Sequence, residues 1–168
     1  MPAGRPPNWN AFSGLVPGAW TEVVEVSTKW RLTLPTPVRG RLGWLEGVSE
    51  EGLLAVLDPQ GRAELAPWAE RGAKAIADVS QRLEAAPAEQ RDEIAIAAMD
   101  RYMRMAVEPP ARVTLHPNLA AHLDAEEGDV VRVIVRADRL WLWSERQWQA
   151  RRKDRIALLA QPGAQHTG

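Results

Sequence analysis

The sequence predicts an α+β protein: two similar β-rich units joined by a helical hairpin and followed by a C-terminal helix. Three observations carry this. Apolar residues recur at spacing two within 21–66 and again within 101–143, the period of a strand with one buried face. Between them the apolar residues return every three or four positions, the period of a helix. Finally, one stretch is repeated: placing Arg31 on Arg112 puts Val26 on Val107, Thr33-Leu34 on Thr114-Leu115, Leu42 on Leu123 and Gly47 on Gly128 without a gap. The two β units are therefore read as a duplication of one backbone plan.

Taken in order, residues 1–20 hold Pro2, Pro6, Pro7 and Pro17 with Gly and Asn and no sustained periodicity, which predicts an extended or poorly ordered arm. From Thr21, Val24 and Val26 on one side and Leu32 and Leu34 on the other predict two short strands joined by a basic turn or bulge over Ser27 to Arg31. A short helix follows, with Thr36 as cap, Pro37 in the first turn and Gly43 or Gly47 as stop. Asp58-Pro59-Gln60-Gly61 supplies the turn of a hairpin that ends the first unit near residue 66.

Trp68, Ala75, Ile76, Val79 and Leu83 then mark a helix broken at Ala86-Pro87, and Ile94, Ala97, Ala98, Tyr102 and Met105 mark a second. Together they form the hairpin over 67–100. The second unit repeats strand, Pro-containing turn, strand, short helix (Asn118 to Leu123) and a hairpin around Ala137-Asp138, closing at Trp143. Ser144 caps a basic helix over 144–160 with Trp148 on its apolar side, and 161–168 reads as a tail.

Composition narrows the function classes. A 168-residue chain with 45% hydrophobic content, formal charge -1 and pI ≈ 6.3 can build a core but has no global attraction to nucleic acid or membrane. Any affinity for phosphate must come from local clustering. The chain has no cysteine, so thiolate metal sites and cysteine nucleophiles are absent and a reducing cytoplasm is the expected compartment. No window approaches the ~20 apolar residues of a membrane span. Eight Trp against one Phe and one Tyr predict either half-buried or intersubunit indoles, because a buried indole N–H needs a partner, or Trp used simply as the bulky filler of an Arg- and Ala-rich sequence.

A strand, an Arg-bearing turn, the run Arg31-Leu32-Thr33-Leu34-Pro35, a short helix and a hairpin resemble the AbrB-type swapped-hairpin unit. Two such units, with helices between and after them and the run Arg139 to Trp148 closing the second, resemble the MraZ family of bacterial transcription regulators, over Glu22 to Arg155. That family carries an Asp-x-x-x-Arg motif in each unit, with Gly before the Arg, and presents these turns to DNA. Here the motifs read Ser27-Thr28-Lys29-Trp30-Arg31 and Glu108-Pro109-Pro110-Ala111-Arg112. Both arginines stand, while Trp30 and Ala111 replace the Gly that would allow φ > 0 without steric cost, so either the turn changes shape or it is strained.

The resemblance implies two AbrB-like swapped-hairpin units in pseudo-twofold repeat, double-stranded DNA as partner, ring-forming homo-oligomers and a nucleoid-associated cytoplasmic location; the residues themselves point to neither cofactor nor enzyme activity. Lys29, Arg31, Arg39 and Arg41, with no acidic residue between Ser27 and Leu45, make the main phosphate-binding patch, and Arg112 adds to it in the second turn. The same charges would also serve to discourage edge pairing. An assembly or protein-interaction module on the same fold is the competing expectation.

Other chemistry has little support. His116, His122 and His166 lack metal spacing, and Leu123 to Val130 lacks the ligand alternation of a calcium loop. No nucleophile elbow, phosphate loop or dinucleotide fingerprint occurs. Trp141, Trp143 and Trp148 are read first as packing beneath the C-terminal helix or against another subunit, and only secondarily as a platform for single strands.

Overall fold

The computed structural model describes residues 15–48 and 50–162. Most of the expected N-terminal arm and of the tail, including His166, lies outside the described residues. Among the described residues, nine strands and six α-helices follow one another as β1 (Trp20–Glu25), β2 (Arg31–Thr33), α1 (Thr36–Arg39), β3 (Leu53–Asp58), β4 (Arg62–Pro67), α2 (Trp68–Ala85), α3 (Arg91–Arg101), β5 (Tyr102–Met105), β6 (Val107–Glu108), β7 (Arg112–Thr114), α4 (Pro117–His122), β8 (Val130–Arg136), β9 (Arg139–Ser144), α5 (Glu145–Ala150) and α6 (Arg152–Ala160).

The protein is α+β with two antiparallel sheets, ordered β1-β8-β9-β4-β3-β5 and β2-β7-β6. The long sheet is centred on the β4–β9 pair, and its two edges come from matching places in the chain. Strand β1 adds to the later hairpin through β8, and β5 adds to the earlier hairpin through β3. In the short sheet Leu32 faces Val113 in register.

Period-two alternation decides which faces are dry. Leu53, Ala55, Leu65, Val131, Val133, Leu140 and Leu142 point to one side of the long sheet and are almost completely buried. They share one cluster with Leu32, Val113, Val38 of α1 and Leu119 of α4. At ~1.5–3 kcal/mol for each buried aliphatic side chain, this cluster is the main source of stability.

Several boundaries differ from expectation. Thr36 is the first residue of α1 rather than its cap, which is Pro35, and its hydroxyl accepts instead from Arg39 Nη2 at 2.9 Å. Tyr102 and Met105 leave the helical stripe to form β5, opposite Val56 and Leu53. Pairing with β3 wins because it buries Met105 against the core, whereas α3 has no buried residue at all. The C-terminal helix is two helices, broken at Arg151 (φ -103, ψ 11). Its start is as expected: Ser144 Oγ accepts from Gln147 N at 3.1 Å.

The outer face of the long sheet receives α5, and α6 packs against α5. Trp148 meets Trp143 edge to face at 5.4 Å, and the guanidinium of Arg155 lies 3.6 Å from the Trp148 ring centroid. Arg132 holds Glu145 through two hydrogen bonds of 2.9 Å. Burial pushes the Glu145 pKa up, but the Arg132 and Gln149 hydrogen bonds and the charges of Arg132 and Arg155 outweigh it, so the net shift is downward. A carboxyl whose folded pKa is depressed contributes stability above its ordinary value of 4.5 and loses it as pH falls through the lower, folded value. Glu145→Gln is therefore expected to flatten the stability–pH curve below 4.5, read by urea unfolding at stepped pH.

The β8–β9 turn places Ala137 at φ 51 and Asp138 at φ 63, the conformation that Asn-Gly adopts most readily in a two-residue hairpin. Both side chains are exposed. Replacing the pair by Asn-Gly (Ala137→Asn with Asp138→Gly) is expected to stabilise the protein by about 1 kcal/mol, measured as a shift in the denaturation midpoint at constant slope.

Candidate nucleic-acid interface

The two Arg-bearing turns take the same place at the ends of β2 and β7. In the first, Ser27 closes the bend, its amide donating to the Arg31 carbonyl at 2.8 Å and its hydroxyl to the same oxygen at 2.9 Å. Lys29 (φ 64) and Trp30 (φ 60) are both left-handed, and so is Ala111 (φ 106) in the second turn, which runs through a cis Pro109–Pro110 bond. The sequence left two outcomes open for a turn without Gly. The observed one is strain: positive φ persists at Trp30 and Ala111, on the order of 1 kcal/mol at each. Reciprocal hydrogen bonds hold both in place, Leu115 N to the Trp30 carbonyl at 2.8 Å and Leu34 N to the Ala111 carbonyl at 2.9 Å.

Strand geometry then arranges the side chains. Arg31 pairs with Thr114 and Thr33 with Arg112, so with Leu32 and Val113 fully buried on one side, both arginines and both threonines project to the other. Thr33 and Thr114 are exposed, and the arginines are half-buried. The face is a small array of two guanidiniums and two hydroxyls, the donors that phosphate oxygens and base edges accept.

The two halves differ in charge. Among the described residues Arg31 forms no ion pair, because Ser27 stands where a carboxylate would reach it. Arg112 has such a neighbour: Glu108 Oε2 lies 3.8 Å from its Nη2. Exposed Lys29 adds a second cation to the first turn.

Arg39 and Arg41 do not join this array as free cations. Arg39 Nη1 donates to the Pro110 carbonyl at 2.9 Å and Nη2 to Thr36, which ties α1 to the second turn. Arg41 Nη1 donates to the Pro37 carbonyl at 2.8 Å, and its guanidinium lies 4.8 Å from the Trp20 ring centroid. Of the five residues singled out by charge, the fold brings Lys29, Arg31 and Arg112 to the turns and their common sheet face, and employs the other two in packing. Thr33 and Thr114 were not singled out, although the repeated Arg-x-Thr spacing carries the signal.

The remaining candidates are accounted for separately. His116 Nδ1 accepts from Asn118 N at 3.1 Å as the cap of α4, and His122 Nε2 lies 3.1 Å from the Arg62 carbonyl. Among the described residues no group of His, Asp and Glu could hold a metal ion. Glu126 to Asp129 is a closed turn, Glu126 N donating to Asp129 Oδ2 at 2.9 Å. Trp143 is buried against Trp148, and Arg139, held by Glu64, lies over one side of the half-buried Trp141 at 4.6 Å. The Trp excess answers to this arrangement: Trp20, Trp68, Trp141, Trp143 and Trp148 each carry an arginine over the ring. Neither a family model nor a curated protein matches the chain.

Proposed function

We propose that the chain is a MraZ-like, AbrB-superfamily regulator that binds double-stranded DNA with the outer face of β2 and β7, and does so as a homo-oligomer in the cytoplasm, on the nucleoid. The observation that carries this reading is the pairing of two equivalent Arg-bearing turns in one short sheet, with Arg31 free of any carboxylate among the described residues. The exchange of β1 and β5 between the two hairpins supports reading the fold as two swapped-hairpin units in pseudo-twofold repeat.

Lys29 and Arg31 supply the phosphate contacts, Thr33 and Thr114 add hydrogen bonds, and Arg112 acts with reduced charge beside Glu108. Two or three cations per chain bind weakly; repetition across an oligomer raises the effective concentration and hence the avidity. Exposed apolar side chains support assembly: Ile76, Ile96 and Met99 on the helical hairpin and Ile156, Leu158 and Leu159 on α6 are all more than half exposed.

Those same side chains favour the second reading, an assembly or protein-interaction module that has no DNA partner. Electrophoretic mobility shifts with duplexes from upstream of the chain's own operon, paired with sizing by light scattering, separate the two. A retarded complex formed by an oligomer is the result expected, whereas an oligomer that ignores every duplex supports the module.

A further inference from the structure

A cleft of about 530 Å³ lies between α1 with its following loop and the second turn, and it borders the Arg and Thr array at Glu108, whose Oε2 is 3.8 Å from Arg112 Nη2. Leu45, Val48, Val107 and Pro109 give it apolar walls, and Arg39, Glu46 and Glu108 also line it. Matching the two units residue by residue shows that the duplication did not simply produce this cleft twice. The equivalents of Leu45 and Val48 are Glu126 and Asp129, those of Arg39 and Glu108 are Ala120 and Ser27, and Ala111 corresponds to Trp30. Trp30 packs its indole against the core, so where the first turn has a large ring the second has only a methyl group.

The walls restrict what can enter. An apolar molecule would strip water from one cation and two carboxylates without replacing it. A phosphate or dicarboxylate would meet Glu46 and Glu108. Arg39 has a buried Nε with no acceptor among the described residues, and its Nη1 is spent on a neutral carbonyl, which a carboxylate outcompetes because charge-assisted hydrogen bonds are stronger. One carboxylate, one ammonium and an apolar body satisfy all of these demands together.

We propose that this cleft is a binding site for a free amino acid with a large apolar side chain. Its carboxylate pairs with Arg39, its ammonium with Glu46 and Glu108, and its side chain lies against Leu45, Val48, Val107 and Pro109. The proposal does not rest on DNA binding, and Glu108 is the residue that the cleft shares with the array, through its ion pair with Arg112.

Isothermal titration of the full chain without DNA tests it, using L-leucine and L-tryptophan against 4-methylpentanoate, which lacks the amine, and 3-methylbutylamine, which lacks the carboxylate. The expected result is saturable binding of at least one amino acid with a dissociation constant below about 1 mM and at least about tenfold weaker binding of both truncated analogues. The pair Glu46→Gln with Glu108→Ser, both at exposed positions, is expected to weaken amino-acid binding at least about fivefold with an unchanged melting temperature. No saturation by either amino acid at about 10 mM, equal binding of a truncated analogue, or an unchanged affinity in the double variant would each overturn the proposal.

Discussion

Replacing Arg31 by alanine is expected to weaken binding to duplex DNA at least about tenfold, and to lower the slope of log affinity against log salt by about 0.9 per engaged chain. The reason is local. Arg31 is half-buried on the outer face of the short sheet with no carboxylate partner among the described residues, so its full charge is available to a phosphate. Arg112→Ala is expected to cost several-fold less, since Glu108 already offsets much of that charge. Glu108→Ser, which copies the first turn into the second, is expected to tighten binding and steepen the salt dependence. Fluorescence anisotropy of one labelled duplex at stepped salt reads all three variants; equal losses for Arg31→Ala and Arg112→Ala would count against an asymmetry between the two turns.

The second large effect concerns the junction of the two units. Leu32 is fully buried opposite Val113, where the short sheet meets the common core. Leu32→Ala removes that packing from both units at once and is expected to cost about 2–5 kcal/mol, a large part of the ~5–15 kcal/mol that holds a domain folded. Thr33→Ala, one residue on and exposed, is expected to stay within about 0.5 kcal/mol. Urea unfolding of the two variants provides the comparison. A small effect at Leu32 would mean that the two units hold together by other contacts.

Much of the fold was legible because the chain states its plan twice. The Arg31 and Arg112 neighbourhoods share apolar spacing, and they became β2 and β7 with α1 and α4 at matching distances. What local patterns could not show was decided by distant partners. Tyr102 and Met105 sit at helical spacing after Ile94 and Ala98, yet β3, far earlier in the chain, offers them a ladder and a dry face. Likewise Arg39 and Arg41 count as patch charges in sequence. Only the folded chain sets a Pro110 carbonyl beside one and the Trp20 ring beside the other. For the Gly-less turns the sequence posed the right alternatives, and the reciprocal Leu34 and Leu115 hydrogen bonds explain why left-handed backbone prevailed.

Photocrosslinking from single positions asks most directly whether DNA lies on this face. With a benzophenone side chain replacing Thr33 or Arg136, each on the surface but on different sheets, irradiation in the presence of duplex is expected to yield a covalent adduct from position 33 and none from position 136. Adducts from position 136 alone, or from neither position with a duplex that the protein measurably binds, would contradict the account.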